Sequence, residues 1–258
     1  TEIYTLSLHD ALPISLASLE AWRLDARRKP LVLNGARQVG KTWLLREFGK
    51  RAYKNVAYIN FESNERMAAL FSSNLDPERL LTGLRVESGI RIEPENTLII
   101  FDEIQDTPKA ITSLKYFYEN VPHYHIAAAG SLLGIATHAG VSFPVGKVDF
   151  LNLYPLSFLE FLKAIGDSEL SDLVSFGDWS MIDAFKEKLT ESLRYYYCVG
   201  GMPESVATFI ATKDLGQVRV FQKKLLEAYE RDFSKYAKSD LVPRIRAVWN
   251  SLPAQLAR

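Results

Sequence analysis

The chain has 258 residues, of which 47% are apolar, 24% charged and 12% aromatic. A chain of this length and composition can bury about 70% of the surface that its extended form exposes, which excludes an intrinsically disordered protein. Lys and Arg (31) balance Asp and Glu (31), so no global field draws the protein to nucleic acid or to anionic lipid.

Cysteine content and hydropathy exclude further classes. The single cysteine, Cys198, rules out an internal disulfide and a four-cysteine zinc site, and it suits a reducing compartment. No apolar run approaches the ~20 residues of a membrane span. We therefore expect a soluble, cytoplasmic protein with no membrane partner.

The first fifteen residues differ in character from the rest. They begin without Met, carry Glu2 and Asp10, and lack the basic segment of a signal peptide. The run LSLHDALPIS resembles the translated read-through of a sequencing adapter. We expect residues 1–15 to be a non-native leader; the alternative is an ordinary partial reading frame with a genuine N-terminal helix.

Apolar spacing and turn residues predict alternating helices and strands as far as residue 154. In chain order the predicted elements are a helix over Leu16–Arg28, a strand over Leu31–Leu33, a helix over Lys41–Arg51, a strand over Asn55–Phe61, a helical region through Leu84 broken at Asp76-Pro77, a strand over Thr97–Phe101, a helix over Pro108–Glu119, and strands over His125–Ala129 and Lys147–Leu153. Such alternation predicts an α/β fold with a parallel sheet and right-handed crossovers. Beyond residue 155 the pattern is mostly helical, with helices predicted over Ser157–Ile165, Met181–Tyr197 and Gln217–Tyr236.

A phosphate-binding loop is predicted directly after the first strand. The segment GARQVGKT fits G-x-x-x-x-G-K-T and precedes a helix. Its glycines permit a backbone curve whose N–H groups converge on phosphate oxygens, and the helix that begins at Lys41 aims its positive end at the anion. Lys41 is predicted to contact the β- and γ-phosphates, and the Thr42 hydroxyl to ligate Mg²⁺. Nucleotide binding is therefore assigned to Gly35, Ala36, Arg37, Gln38, Val39, Gly40, Lys41, Thr42 and Trp43.

Two carboxylates follow the third predicted strand. Asp102 and Glu103 emerge at its C-terminal end, the edge at which open α/β sheets bind ligands. Asp102 is predicted to bind Mg²⁺ together with Thr42. Glu103 is predicted to orient and deprotonate the water that attacks the γ-phosphate, as a catalytic residue beside Lys41. Gln105 is either a further polar contact or a surface residue.

Ser131 follows the fourth predicted strand. If this strand neighbours the strand before the phosphate loop, Ser131 faces the γ-phosphate and is a third catalytic residue; the alternative is a helix N-cap. His123, His125 and His138 lie nearby, but their spacing fits no zinc pattern and predicts surface positions.

These motifs together resemble a known family. GARQVGKT, LIIFDEIQ (Leu98–Gln105) and AAAGSLLG (Ala127–Gly134) resemble an uncharacterised family of bacterial and archaeal AAA-type ATPases that carry a C-terminal domain of unknown function. The resemblance continues through SFPVGKVDFLNLYPLSFLEFL (Ser142–Leu162), CVGGMPESV (Cys198–Val206) and LLEAYERDFSKYA (Leu225–Ala237).

The resemblance implies a P-loop NTPase core with strand order 5-1-4-3-2 and with Ser131 in the first sensor position. A helical, winged-helix-like module follows this core. The implied domains are an AAA-like ATP-binding domain over residues 16–164 and an incomplete C-terminal module over 165–258. ATP is the implied nucleotide.

The chain departs from this family in two respects. Many relatives have Gly-Arg where this chain has Gly146-Lys147, and Lys lacks the planar fork with which Arg binds phosphate. A role for Lys147 at the γ-phosphate is therefore not assigned. Relatives also continue into a nuclease-like region, so we expect this chain to be C-terminally truncated.

Three functions agree with the sequence. The first is Mg²⁺-dependent ATP binding with slow hydrolysis, because no arginine finger can be assigned. The second is a nucleotide-gated switch with little turnover. The third is a DNA-binding module, since residues 215–258 hold nine Lys and Arg against four Asp and Glu, although the charges alternate as on a solvated helix. Candidate partners besides ATP are therefore DNA or a protein client.

Overall fold

The computed structural model describes residues 13–130, 144, 146–237 and 239–256. The chain forms two compact units, the first ending at Tyr154 and the second beginning at Pro155. The sequence-based boundary of 164/165 lies one helix later. Among the described residues, none of the helices combines the length and the apolar character needed to cross a bilayer.

The first unit contains helices alternating with strands. Its elements are α1 (Pro13–Leu24), β1 (Leu31–Gly35), α2 (Lys41–Ala52), β2 (Asn55–Asn60), α3 (Glu65–Ser72), α4 (Pro77–Ser88), β3 (Thr97–Asp102), a 3-10 helix (Ile104–Asp106), α5 (Pro108–Asn120), β4 (His125–Ala129) and β5 (Asp149–Leu153).

The strands form one five-stranded sheet in the order β2-β3-β4-β1-β5, and each neighbouring pair is parallel. This is the predicted order 5-1-4-3-2 read in reverse, so the α/β, AAA-like fold is confirmed. The central strand β4 pairs with β1 through Val32 and Ala128, and with β3 through Phe101 and Ala128.

Both faces of the sheet are buried, which explains the nearly continuous apolar runs. Successive side chains alternate between the faces. In β3, Leu98 and Ile100 pack with α1 and α2, whereas Ile99 and Phe101 pack with α3, α4 and α5. We call these the α2 face and the α5 face.

Several element ends in the first unit differ from the predictions, and two of these differences have a clear cause in the structure. The helix predicted to end at Arg28 ends at Leu24, because Asp25 turns the chain and its side chain accepts the backbone N–H of Arg27 at 2.8 Å. Strand β1 extends two residues beyond Leu33, because its pairing with β5 continues to Gly35.

The second unit is helical over its described residues. Its elements are α6 (Phe158–Ala164), α7 (Ser168–Phe176), α8 (Trp179–Ala184), α9 (Lys186–Val199), α10 (Pro203–Thr212), α11 (Leu215–Tyr236) and α12 (Val242–Leu256). The single helix predicted over Met181–Tyr197 is two helices, because Phe185 leaves helical geometry with φ −105° and ψ 14°. The described part of this unit contains no strand. A winged helix has a β-hairpin wing, so the winged-helix expectation is not confirmed.

His125 is a correction to the expected surface histidines. It begins β4 and is only 5% exposed, whereas His123 is exposed and His138 lies outside the described residues. The Tyr53 hydroxyl lies 2.7 Å from His125 Nδ1. Burial, reinforced by the positive charges of Arg28 and Arg23, lowers the pKa of His125 from 6.5 to about 4.

Stability should therefore fall on acidification between pH 6.5 and about 4. The unfolded chain takes up a proton on His125 below pH 6.5, and the folded chain does so only near pH 4. This difference in proton binding lowers the unfolding free energy by about 3 kcal/mol at most. Urea unfolding of wild type and His125→Gln at pH 7.5 and 4.5 measures the effect. The variant should lose less stability than wild type between the two pH values, whereas the exposed-site control His123→Gln should behave like wild type. An equal acid loss in wild type and His125→Gln would contradict the assignment.

Candidate nucleotide-binding site

The candidate site lies at the carboxyl ends of the strands. The loop after β1 leads into α2, and Asp102 ends β3. Strand β4 lies between β1 and β3 and ends at Ala129, at the same edge of the sheet. Parallel α/β sheets bind ligands at this edge. The sheet order therefore brings the two predicted motifs to the same edge of the sheet.

The loop has the close approaches and turns that its glycines predict. A Cβ atom on Gly35 would lie 2.5 Å from the Leu153 carbonyl oxygen and 2.9 Å from Val39 Cγ1, so only glycine fits there. Gly40 has φ 97°, in the left-handed region that glycine tolerates, and Gln38 is also left-handed at φ 62°. The backbone thus curves back on itself before α2 begins.

Lys41 folds inward over this loop. Its Nζ donates hydrogen bonds to the carbonyl oxygens of Gly35 (2.9 Å) and Ala36 (2.8 Å), and the residue is only 9% exposed. Burial lowers the pKa of Lys41, and the negative charges of Glu103 and Asp102 oppose that shift. The ammonium group is therefore held inside the loop, on the side of the two carboxylates.

A direct hydrogen bond joins the first turn of α2 to the acidic pair, which is Asp102 and Glu103. The Thr42 hydroxyl donates to the Asp102 carboxylate, at 2.9 Å to Oδ2 and 3.1 Å to Oδ1, across 60 residues of sequence. Asp102 follows Leu98 and Ile100 on the α2 face, and Thr42 lies in the first turn of α2. The two residues predicted to bind Mg²⁺ are thus in contact.

Tyr58 is a site residue that the sequence analysis missed. Its hydroxyl donates to Asp102 Oδ2 at 2.7 Å, and the Arg46 guanidinium lies 3.7 Å from the centre of its ring. Burial, the hydrogen bond and the negative charge of Asp102 raise the pKa of Tyr58 to about 12, so the hydroxyl stays protonated. The available signal was indirect: Tyr58 lies two residues before the end of the strand that neighbours β3.

Glu103 follows Asp102 in a left-handed conformation, with φ 50° and ψ 41°. Its backbone N–H donates to Asp102 Oδ1 at 3.1 Å, and its carboxylate accepts a hydrogen bond from Gln105 Nε2. Gln105 is only 1% exposed, so of the two sequence-based alternatives it is the polar contact and not a surface residue. Glu103 thus has a partner that fixes its side chain.

Ser131 and Lys147 are the remaining residues that the sequence analysis considered for the γ-phosphate. Ser131 lies outside the described residues, although β4 ends two residues before it at this edge. Lys147 forms an ion pair with Glu119 at 3.0 Å, and its Nζ lies 5.6 Å from the centre of the Tyr118 ring. The charge of Lys147 is therefore already engaged.

The donor set fits a magnesium ion with a nucleotide. Mg²⁺ prefers oxygen ligands and is commonly bound by one or two carboxylates with substrate phosphates, and here a hydroxyl and a carboxylate lie in contact. Ala36, Arg37 and Gln38 of the loop are exposed to solvent. Within the described ranges, no cluster of three or more His, Cys, Asp or Glu forms a competing metal site.

The fold and the site together define a P-loop nucleotide-binding domain of the AAA type. A family model described as "AAA domain" matches residues 27–162, which is more than half of the chain. The protein therefore belongs to this AAA family. A second model, described as a domain of unknown function (DUF8612), matches residues 190–258. The predicted pairing of an AAA domain with a C-terminal domain of unknown function is thus confirmed.

Other comparisons are more distant. A search of curated proteins gave no match. Among solved structures, one titled "Structure of C. elegans PCH-2" is 14% identical in sequence and covers 88% of this chain and 68% of its own, with a TM-score of 0.42.

The close packing around Gly35 predicts a large loss of stability when a single methyl group is added there. In Gly35→Ala the added Cβ meets the backbone of β5, which cannot move without disrupting the sheet, so we expect a loss of about 1–3 kcal/mol in unfolding free energy. Nucleotide binding should weaken as well, because the loop must shift. Urea unfolding and nucleotide titration measure the two effects.

The matched control is Gly83→Ala in α4, where the new Cβ meets the end of the Leu70 side chain, which can rotate away. Gly83→Ala should lose less unfolding free energy than Gly35→Ala. A Gly35→Ala protein as stable as the Gly83→Ala protein would contradict the described packing.

Proposed function

We propose that the protein binds ATP with Mg²⁺ and hydrolyses it slowly. The observation that carries this proposal is the hydrogen bond between Thr42 and Asp102. It joins the residue that follows the loop lysine to the carboxylate at the end of β3. A triphosphate held by the loop would lie beside that pair.

The loop would bind the phosphates through its backbone and one charge. The residues from Gly35 to Trp43 form the curve and the first helical turn, where N–H groups and the helix dipole favour an anion. Lys41 would exchange its bonds to the Gly35 and Ala36 carbonyl oxygens for bonds to phosphate oxygens. The exchange requires little movement of the chain, because the ammonium group already lies within the loop.

Thr42 and Asp102 would hold Mg²⁺, directly or through its water ligands. When bound, the ion supplies neutralisation of the charge that develops on the transferred phosphoryl group. The Thr42 hydroxyl would turn from the Asp102 carboxylate to the ion. The backbone N–H of Glu103 would keep its bond to Asp102 Oδ1 and maintain the orientation of that carboxylate.

Glu103 would accept a proton from the attacking water at one of its carboxylate oxygens. Gln105 holds the other side of that carboxylate, which limits its rotation. Ser131, two residues after β4, is proposed to contact the γ-phosphate and the water. Both proposed roles rest on the ends of β3 and β4, which lie at the same edge of the sheet.

Slow turnover is the expected behaviour of this chain. An arginine finger contributes about 10³–10⁵ in rate in related phosphoryl transfer. Lys147, which stands where many relatives have Arg, is paired with Glu119. The pairing of Lys147 with Glu119 also supports the second candidate function, a nucleotide-gated switch with little turnover.

Two variants should separate ATP binding from ATP hydrolysis. Glu103→Gln keeps the loop and the metal ligands, so it should retain ATP binding but lose at least tenfold in phosphate release, because it removes the general base. Lys41→Ala should lose both. At about 100 times the dissociation constant ATP should stabilise wild type and Glu103→Gln by about 2.7 kcal/mol, and Lys41→Ala by much less.

Thermal unfolding with Mg-ATP and a phosphate-release assay give the two readouts. Equal phosphate release by wild type and Glu103→Gln would rule out the role of Glu103. An unchanged thermal shift in Lys41→Ala would rule out the loop as the ATP site.

A further inference from the structure

The Asp102 carboxylate accepts hydrogen bonds from three donors. These are the Thr42 hydroxyl, the Tyr58 hydroxyl at 2.7 Å and the backbone N–H of Glu103 at 3.1 Å. Asp102 itself is only 6% exposed. A buried carboxylate needs such partners, because water does not reach it. The three donors nevertheless differ in what they can do when an ion binds.

The Thr42 bond is the one that would change on metal binding, since Thr42 and Asp102 are the two proposed ligands. The other two donors approach different oxygens: Tyr58 bonds Oδ2, and the Glu103 N–H bonds Oδ1. Two restraints on opposite oxygens fix the rotation of the carboxylate about its Cβ–Cγ bond. Of these two restraints, the one from Tyr58 comes from a side chain and the one from Glu103 comes from the backbone.

The position of Tyr58 follows from the sheet. Strand β2 pairs with β3 in register, with Tyr58 opposite Ile100 and Asn60 opposite Asp102. Tyr58 and Ile100 both lie on the α2 face, so the Tyr58 side chain extends along that face toward the end of β3. The long tyrosine side chain extends from the level of Ile100 to the level of Asp102, which is the next residue of β3 on this face. Its hydroxyl therefore meets the carboxylate.

Arg46 fixes the ring of Tyr58. It lies one helical turn beyond Thr42 in α2, and its guanidinium stacks 3.7 Å from the ring centre. Cation–π contacts of this kind stabilise a ring orientation even at exposed sites. One helix thus supplies both Thr42, a proposed ligand, and Arg46, the residue that restrains the Tyr58 ring.

We propose that Tyr58 is a positioning residue for Mg²⁺: it orients the Asp102 carboxylate for the ion that accompanies the nucleotide, and Arg46 holds it in place. The inference rests on the proposed function, because it assumes that Mg²⁺ binds at Thr42 and Asp102. Hydrogen bonds to a ligating carboxylate commonly change metal affinity by about 10–100-fold when they are removed. Tyr58 therefore affects the metal and not the phosphate loop.

The test measures how Mg²⁺ changes nucleotide binding. A fluorescent ATP analogue is titrated into wild type, Tyr58→Phe and the control Tyr116→Phe, first in EDTA and then at increasing Mg²⁺. Tyr116 is a half-buried residue of α5, so the control loses the same hydroxyl group elsewhere in the unit. The readouts are the dissociation constant in EDTA and the Mg²⁺ concentration at the midpoint of the enhancement.

The expected result is a split between these readouts. Tyr58→Phe should bind the analogue in EDTA within about twofold of wild type, and its Mg²⁺ midpoint should rise about tenfold or more. Tyr116→Phe should match wild type in both. An unchanged midpoint in Tyr58→Phe, or equal weakening with and without Mg²⁺, would overturn the inference and leave the proposed function intact. Wild type with no Mg²⁺ enhancement would overturn the proposed metal site, and the inference with it.

A second variant covers the case in which Tyr58→Phe does not fold. Arg46→Leu keeps the Tyr58 hydroxyl and removes the stacked charge, so its Mg²⁺ midpoint should rise by about two- to fivefold with unchanged binding in EDTA. Thermal unfolding of the nucleotide-free proteins checks that each variant is folded. A midpoint equal to that of wild type in Arg46→Leu would remove Arg46 from the account, and would overturn the inference where this variant alone is folded.

Discussion

The contact between Thr42 and Asp102 depends on a topological constraint. The two residues are 60 positions apart and belong to elements that follow β1 and end β3, strands that are not neighbours in the sheet. Strand β4 lies between them, and its small residues Ala127, Ala128 and Ala129 are fully buried. Because all pairs are parallel, every strand ends at the same edge. The sheet order therefore places the start of α2, with the Thr42 hydroxyl, against the Asp102 carboxylate at the end of β3.

The same edge of the sheet holds charged groups in a buried environment. Lys41 and Asp102 are each almost inaccessible to solvent, and burying a charge is costly unless it is hydrogen-bonded. Each has its own partners: carbonyl oxygens for Lys41, and hydroxyl and N–H donors for Asp102. Groups held in this way need little reorganisation when a ligand arrives, and such preorganisation is the main source of electrostatic catalysis.

Much of the first unit could be predicted because its signals are local. The β4 strand was predicted with its exact bounds, since an apolar run lies between a turn and a glycine. The loop and the acidic pair were found from their spacing, and the family match supports the class of domain they define. The strand order itself came from the family resemblance, because alternation of helices and strands does not specify which strands are neighbours.

The features that were missed depend on contacts between distant segments. His125 was expected at the surface, but Tyr53 and Trp22, from other helices and turns, cover it. Tyr58 carries no motif, and its role appears only when β2 is placed beside β3. Phe185 interrupts a helix whose apolar pattern continues through it. In each case the deciding information lies in tertiary packing and not in the local sequence.

A double-mutant cycle between Thr42 and Asp102 tests the central claim most directly. The affinity for Mg-ATP is measured for wild type, Thr42→Val, Asp102→Asn and the double variant. If the two residues form one metal-nucleotide site, the double variant should bind little worse than the weaker single variant, with a coupling energy of about 1–3 kcal/mol. Losses that simply add would contradict the account, because the loop and the end of β3 would then act independently.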